Sequence, residues 1–122
     1  MPLVLRFGSA LLDQLAHVPE SFVQALPGQK GGMVLIDDVE RRRLQASLAV
    51  TPQVAPGGSA ANTIVGLARL GMPTRLLAKI GADAAGEAYR EHLARAGVEV
   101  TALKRTAARP TGTCLSFITP DG

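Results

Sequence analysis

The sequence predicts an α/β domain with a mostly parallel sheet and flanking helices. Short apolar runs typical of strands alternate with longer segments that begin at a capping residue and end at glycine. Strands separated in this way by helices pair in parallel through crossover connections. The chain has 122 residues, of which 47% are hydrophobic, so it can bury one modest core and is not expected to be disordered. No domain boundary is predicted inside the chain.

Each element is predicted from its own local signal. Strands are predicted over residues 3–7, 33–36, 74–80, 98–103 and 113–119, and the first of them is expected to be buried. Helices are predicted over residues 19–26, from Asp37 or Asp38 to about Leu48, over residues 64–71, and over residues 84–96. Ser59 and Asp83 are the expected N-caps of the last two helices, and Gly71 and Gly97 end them.

Composition and charge exclude several classes of function. Aromatic residues make up 3% of the chain and tryptophan is absent, which argues against a base-stacking surface. The net charge of +3 is scattered, and the run Arg41–Arg43 is typical of a solvated helix face, so no nucleic-acid partner is predicted. No apolar run has membrane-spanning length and no signal peptide begins the chain, so no membrane association is predicted.

Cysteine and histidine are too sparse for a disulfide or a metal site. Cys114 is the one cysteine, which excludes an internal disulfide and fits a cytoplasmic protein. His17 and His92 are isolated in the sequence, so a zinc site is not expected. Gly81 and Gly86 have the separation of a phosphate-binding P-loop, but the Lys and Ser/Thr that must follow are absent.

A glycine-rich stretch, residues 56–63, opens the third predicted helix. Gly57 and Gly58 allow a sharp turn and the close approach of a ligand. The helix N-terminus that follows offers unpaired N–H groups, and Asn62 adds an amide that both donates and accepts. These groups are suited to hold hydroxyls or an anion. The alternative is a turn that only caps a core helix, and the residues alone leave both interpretations open.

A single carboxylate, Asp13, is expected just past the end of the first strand. Ligands of α/β sheets bind at the carboxyl edge of the strands, so this position favours a role in a cleft. The alternative is an ordinary surface carboxylate. No Ser, His or Cys in the chain has the sequence context of a nucleophile or a general base, so no catalytic residue is predicted.

Several stretches together resemble the N-terminal part of a known kinase family. They are Gly8–Asp13, Gly31–Asp37, Pro56–Thr63 with its continuation to Gly81, Lys79–Gly86 and Pro110–Cys114. In this order they resemble the ribokinase-like (PfkB) carbohydrate and nucleoside kinases, and within them the adenosine-kinase-like branch. The resemblance covers nearly the whole chain. It implies a partial ribokinase-like layered α/β domain with small β strands that form a lid.

The resemblance also implies roles for individual residues. Residues 1–122 would form the N-terminal part that binds the acceptor substrate, a sugar or a nucleoside. Asp13 would hold vicinal hydroxyls, and Asn62 with the Gly57–Gly58 backbone would fix the ring. Strands around Leu15, Met33, Val100 and Leu115 would form the lid, and Cys114 lies in the strand that returns beneath it.

For a complete relative, the resemblance implies phosphoryl transfer from ATP, with Mg²⁺, to a primary hydroxyl. The family's catalytic aspartate, its anion hole and its nucleotide-binding loops lie beyond the matched stretches. No catalytic, cofactor-binding or metal-binding residue is therefore expected here, and the chain alone is expected to be inactive. Two alternatives are a non-catalytic sugar- or nucleoside-binding module and an interaction-prone fragment without a function of its own.

The sequence Asp121–Gly122 follows the last predicted strand and is typical of a hairpin turn. The strand that would complete this hairpin is absent from the sequence. We therefore expect an apparently truncated or split kinase whose last strand offers an unpaired edge. Such an edge predicts self-association or pairing with a downstream C-terminal partner fragment.

Overall fold

The predicted α/β class is confirmed by the computed structural model, which describes residues 1–122. Six strands and four helices follow one another as β1 Val4–Phe7, β2 Leu11–His17, α1 Glu20–Gln24, α2 Asp38–Ser47, β3 Gln53–Gly57, α3 Ser59–Arg69, β4 Thr74–Gly81, α4 Ala84–Arg95, β5 Leu103–Thr106 and β6 Gly112–Ile118. One sheet has the order β1-β4-β5, and all its pairs are parallel. A second sheet has the order β3-β2-β6.

The chain divides into two compact units, although no boundary is visible in its composition. The first unit comprises Met1–Asp13 and Ala55–Cys114, and the second comprises Gln14–Val54 and Leu115–Gly122. Each unit is therefore assembled from segments that are far apart in sequence. A change of composition along the chain cannot reveal units that are interleaved in this way.

The core of the first unit lies between its parallel sheet and helices α3 and α4. Its largest fully buried hydrophobic side chains are Ile64 of α3, Leu76 and Ile80 of β4, and Tyr89 and Leu93 of α4. The side chains of β4 alternate between the buried side and the less buried side, as expected for a central strand. Gly71 follows α3 with φ of 85°, and this left-handed residue ends the helix as predicted.

The second unit contains α1 and α2. Phe22 of α1 packs edge-on against Phe117 of β6, with ring centroids 5.1 Å apart. Asp37 caps α2 as predicted, because its carboxylate accepts a hydrogen bond from the Glu40 N–H at 2.8 Å. None of the four helices combines the length and apolar character that a membrane span requires.

Two predicted strands differ from the structure. Residues 33–36 form no strand, and Met33 and Leu35 are exposed, because this apolar segment has no neighbouring strand to pair with. The strand predicted over residues 98–103 reduces to one bridge at Glu99, since a turn at residues 101–102 interrupts it before β5 begins at Leu103. Val100 packs against the core of the first unit instead of lying in a strand.

Two further predictions about burial and capping are wrong. β1 is not buried: Leu5 is 53% exposed and Phe7 is 85% exposed, because β1 is an edge strand of its sheet. Ser59 is not the N-cap of α3 but its first helical residue. The helix therefore starts before the predicted range of residues 64–71, and its N-cap is Gly58, which has φ of 95° and provides the turn without a side chain.

Candidate functional site

The carboxylate of Asp13 lies directly against the backbone of Gly57. A Cβ added at Gly57 would overlap the Asp13 Oδ2 atom and would lie 2.8 Å from its Cγ. Asp13 is the third residue of β2 rather than a residue past a strand end, and Gly57 is the last residue of β3, the neighbouring strand. Glycine at position 57 is thus what allows the carboxylate to occupy this place.

Asp13 is half-buried, and no side chain of the protein neutralises it. It belongs to none of the eight ion pairs and accepts none of the side-chain hydrogen bonds of the chain. A carboxylate that loses part of its hydration normally acquires a partner inside the protein. The acceptor capacity of Asp13 is therefore available to a ligand.

Gly58 joins this carboxylate to the start of α3. Its φ of 95° is strained for any other residue, and a Cβ added there would lie 2.7 Å from the backbone oxygen of Ser9. The Gly58 carbonyl accepts the Asn62 N–H at 2.9 Å. The predicted pair of glycines is thus required for two separate reasons, a side-chain contact at Gly57 and a backbone conformation at Gly58.

The first turn of α3 carries no side-chain cap. Its first N–H groups have no partner within the helix and carry the positive end of the helix dipole. Asn62 lies in this turn and is exposed, so its amide is accessible. The structure thus brings Asp13, Gly57, Gly58 and Asn62 together around one turn within the first unit.

Tyr89 of α4 supports this turn from the buried side, a contact that sequence reasoning missed. Its side chain is fully buried, and its hydroxyl donates to the Gly57 carbonyl at 2.9 Å. Burial raises the pKa of the Tyr89 phenol to about 12; a backbone hydrogen bond at Leu11 lowers it, and the nearby Asp13 charge raises it further. The helical spacing of buried Gly86, Tyr89 and Leu93 signals a buried tyrosine but not its partner.

A second cluster in the first unit is structural. Asp83 caps α4 as predicted: its Oδ1 accepts from the Gly86 N–H at 2.8 Å and from the Thr111 hydroxyl at 2.6 Å. Its Oδ2 accepts from the Thr111 N–H at 2.9 Å, and the Thr111 hydroxyl oxygen accepts from the Gly81 N–H at 3.0 Å. Two of the motif stretches, around Lys79–Gly86 and Pro110–Cys114, are held together by this network.

Shallow depressions of the surface do not coincide with the Asp13 site. One lies at the start of α4 and is lined by Ala82, Asp83, Glu87 and Arg105, among others. Another borders the loop at Thr106 and Arg109. Neither is lined by Asp13 or Asn62. The side chain of Arg105 in the first depression is paired with Glu87, so that depression offers little free charge to a ligand.

The two residues predicted for the lid lie in different units. Met33 belongs to the second unit and is 93% exposed. Cys114 belongs to the first unit, is half-buried and lies in β6, the strand next to β2. Leu15 and Leu115 are half-buried strand residues of the second unit. Val100, the remaining predicted lid position, belongs to the first unit and packs on its core.

Comparison with known proteins connects this chain with kinases. The family model described as pfkB family carbohydrate kinase matches residues 28–122. A fructokinase of Klebsiella pneumoniae is 37% identical over 79 residues, which are 65% of this chain and 23% of the relative.

Two solved structures show the same fold. The adenosine kinase from Sinorhizobium meliloti has 32% sequence identity and a TM-score of 0.82, and the match covers 98% of this chain and 36% of that one. An adenosine kinase from Anopheles gambiae, solved in complex with P1,P4-di(adenosine-5) tetraphosphate, has 26% identity and a TM-score of 0.80, with coverage of 97% and 36%. The chain thus spans little more than a third of these kinases and less than a quarter of the fructokinase.

Proposed function

The chain belongs to the pfkB family of carbohydrate kinases, and on this premise we propose that its Gly57–Gly58 turn holds the acceptor, a sugar or a nucleoside, for phosphoryl transfer. The observation that carries the proposal is the half-buried Asp13 carboxylate, which lies against Gly57 without a partner in the protein. A carboxylate accepts two hydrogen bonds at once, so it suits a pair of vicinal hydroxyls.

Asn62 and the first turn of α3 would complete the contacts to the acceptor. The Asn62 amide can donate to a ring or hydroxyl oxygen and accept from a hydroxyl. The uncapped N–H groups of the helix can donate to further oxygens of the ligand. With acceptors on one side and donors on the other, the site would orient a polyol without neutralising a charge on it.

We assign the chemical step to the part of the relatives that this chain does not match. In the proposed reaction a phosphoryl group passes from ATP, with Mg²⁺, to a primary hydroxyl, and catalysis consists mainly of positioning and charge stabilisation. No group of three or more His, Cys, Asp and Glu side chains is placed to hold a metal ion. The residues described here are proposed to bind and orient the acceptor, and no step through ATP or Mg²⁺ is assigned to them.

Met33 and Cys114 are proposed to contact the acceptor as lid residues. Support comes from the exposure of Met33, a large apolar side chain that is available to cover a ligand. Cys114 lies two residues after Gly112, whose backbone approaches Ala10 and Leu11 closely at the start of β2. Covering the acceptor would exclude water from the transferring group.

The chain alone is proposed to lack kinase activity and to associate with a second strand-bearing partner. β6 is an edge strand in the order β3-β2-β6, and an edge strand offers unpaired N–H and C=O groups. The association takes one of two forms, self-association or pairing with a C-terminal partner fragment. Light scattering after size exclusion distinguishes both from a monomer.

The proposed inactivity has its own test. Substrate-dependent release of ADP by the purified chain would contradict it.

Calorimetric titration with adenosine, ribose and fructose tests the acceptor site. The variant Asp13→Asn is expected to lose about 1.5–3 kcal/mol of binding free energy, or roughly tenfold or more in affinity, because a charged hydrogen-bond acceptor is removed. Asn62→Ala is expected to weaken binding in the same direction. Asp38→Asn, an equal change at a surface ion pair of the second unit, is the matched control. Equal affinities for the parent and both site variants would refute the assignment.

A further inference from the structure

We propose that Tyr89 is a positioning residue for the acceptor: its hydroxyl fixes the Gly57 carbonyl and so sets the turn that carries Asp13 and Asn62. The inference rests on the proposed function of this turn and adds to it a residue on a different helix. Tyr89 would act through the backbone and need not touch the acceptor.

The buried hydroxyl group of Tyr89 has a free-energy cost that a phenylalanine at this position would avoid. Tyr89 is fully buried in the core of the first unit, where a phenylalanine would fill nearly the same volume without a polar atom. Burying a hydroxyl is unfavourable unless it finds a hydrogen-bond partner. The Tyr89 hydroxyl donates to the Gly57 carbonyl at 2.9 Å and also forms a hydrogen bond with the Leu11 backbone, so the polar atom is directed at the turn and at the start of β2.

The position of that carbonyl in the backbone matters for the turn. The Gly57 carbonyl belongs to the peptide unit that leads into Gly58, the residue with φ of 95° from which α3 starts. Fixing the carbonyl direction fixes that peptide plane. The next carbonyl, that of Gly58, accepts the Asn62 N–H. One hydroxyl therefore determines the orientation of the turn and of the first helical residues after it.

The same phenol also lies beside Asp13. The Asp13 charge acts on the Tyr89 phenol, and the Leu11 backbone, two residues before Asp13, forms a hydrogen bond with it. Tyr89 thus stands between the two segments that carry the proposed acceptor contacts, β2 and the Gly57–Gly58 turn. Its own helix is fixed at the N-terminus by the Asp83 cap, so the hydroxyl is presented from a rigid element.

A purely structural role is the competing explanation, and Tyr89→Phe separates the two. This variant keeps the ring and removes the hydroxyl, in the full chain. Thr74→Val is the matched control, because the Thr74 hydroxyl is also buried but has no hydrogen-bond partner. Backbone amide NMR spectra of both variants are compared with those of the parent, followed by titration with adenosine, ribose and fructose.

Tyr89→Phe is expected to shift the amide resonances of Gly58 and Asn62 and to weaken binding about three- to tenfold, as expected for one lost hydrogen bond. Thr74→Val is expected to leave these resonances and the affinity unchanged. A merely structural Tyr89 would lower the unfolding midpoint without changing either readout. Unchanged amides and unchanged affinity in Tyr89→Phe would overturn the inference.

A second measurement covers the case in which Tyr89→Phe does not fold. The chain contains one tyrosine, so growth on 3-fluorotyrosine introduces a single ¹⁹F probe at position 89. Its resonance is expected to shift when a ligand binds, and an unchanged resonance with a bound ligand would overturn the inference. If the parent binds none of the three probes, the proposed function is overturned instead. The amide resonances of Gly58 and Asn62, compared between the parent and Tyr89→Phe without ligand, would then decide whether Tyr89 sets the turn.

Discussion

Helices α3 and α4 of the first unit both begin within three residues of a buried glycine that ends a strand, yet the hydrogen bonds at their N-termini are completed in different ways. At α4, the Asp83 carboxylate accepts the Gly86 N–H and also holds Thr111. At α3, the N-cap is Gly58 and no side chain accepts from the first turn. Because the first N–H groups of any helix need acceptors, α4 finds them in its own chain and α3 leaves them for water or a ligand.

The two nearest carboxylates show the same contrast. Asp83 and Asp13 are both half-buried, but Asp83 is engaged by three protein hydrogen bonds, whereas Asp13 has none. A helix start that its own sequence satisfies serves the fold, and one that is left open beside an unpaired carboxylate can serve a ligand. This difference favours the start of α3 over the depression at α4 as the proposed acceptor site.

The largest effect is expected at Gly58, where the open turn depends on a conformation that only glycine adopts readily. Gly58→Ala should destabilise the fold in two ways. The left-handed conformation costs an alanine about 1–2 kcal/mol, and the overlap of its Cβ with the Ser9 backbone oxygen costs roughly 1–3 kcal/mol. Gly71→Ala is the matched control, since Gly71 also has positive φ but no atom within 4 Å of an added Cβ. Urea unfolding should show a clearly larger loss for Gly58→Ala. Equal losses would mean that the contact with Ser9 has no energetic weight.

A smaller loss of stability is expected when the side chains at the two helix N-termini are removed. Asp83→Ala should lower the free energy of unfolding by about 1–2 kcal/mol, because it removes the α4 cap and leaves the Thr111 N–H without its acceptor. Ser59→Ala at the start of α3 should stay within about 0.5 kcal/mol of the parent, since Ser59 does not cap the helix. A comparable loss in Ser59→Ala would show that α3 is capped after all and would remove the contrast between the two helices.

The smallest effect is expected in the second unit, where Lys30 pairs with Glu20 and Asp121 at the surface. The hydrogen bond from Lys30 lowers the pKa of the Asp121 carboxyl to about 2. A lowered pKa stabilises the folded state above the ordinary value of 3.8, and this contribution is lost as pH falls through about 2. The thermal unfolding midpoint of Lys30→Met should differ slightly from that of the parent at pH 7, and most of this difference should be lost at pH 2. A difference that is unchanged at pH 2 would exclude this ion pair as its cause.

Local signals predicted the parts of the fold that depend on neighbouring residues. The caps Asp37 and Asp83, the glycine after α3 and the strand β4 are confirmed because each is determined within a few positions of sequence. The segment at Met33 and the strand at Val100 were predicted wrongly because a strand also requires a partner, which a local apolar run cannot reveal. β1 was predicted correctly as a strand but wrongly as buried, because its place at the edge of the sheet depends on tertiary structure and not on its own residues.

The residues of the candidate site were selected from the sequence, but their positions and contacts were not predicted. Asp13, Gly57, Gly58 and Asn62 were selected from turn chemistry and from resemblance, and the structure brings them to one turn. Two features depend on tertiary packing: Asp13 lies inside β2, and Tyr89 holds the Gly57 carbonyl, which is 32 positions away in the sequence. No spacing in the sequence relates Tyr89 to Gly57, so this contact was accessible only in the structure.

The most direct test of the acceptor site compares the two helix starts in one experiment, an amide NMR titration of the chain with adenosine, ribose and fructose in turn. For a probe that binds, we expect shifts at Leu11–Asp13 and Gly57–Asn62, with the Gly81–Gly86 amides unchanged. The account also predicts that Asp13→Asn reduces these shifts at equal ligand concentration. Shifts at Gly81–Gly86 with none at Gly57–Asn62, or no shift with any probe, would contradict the account.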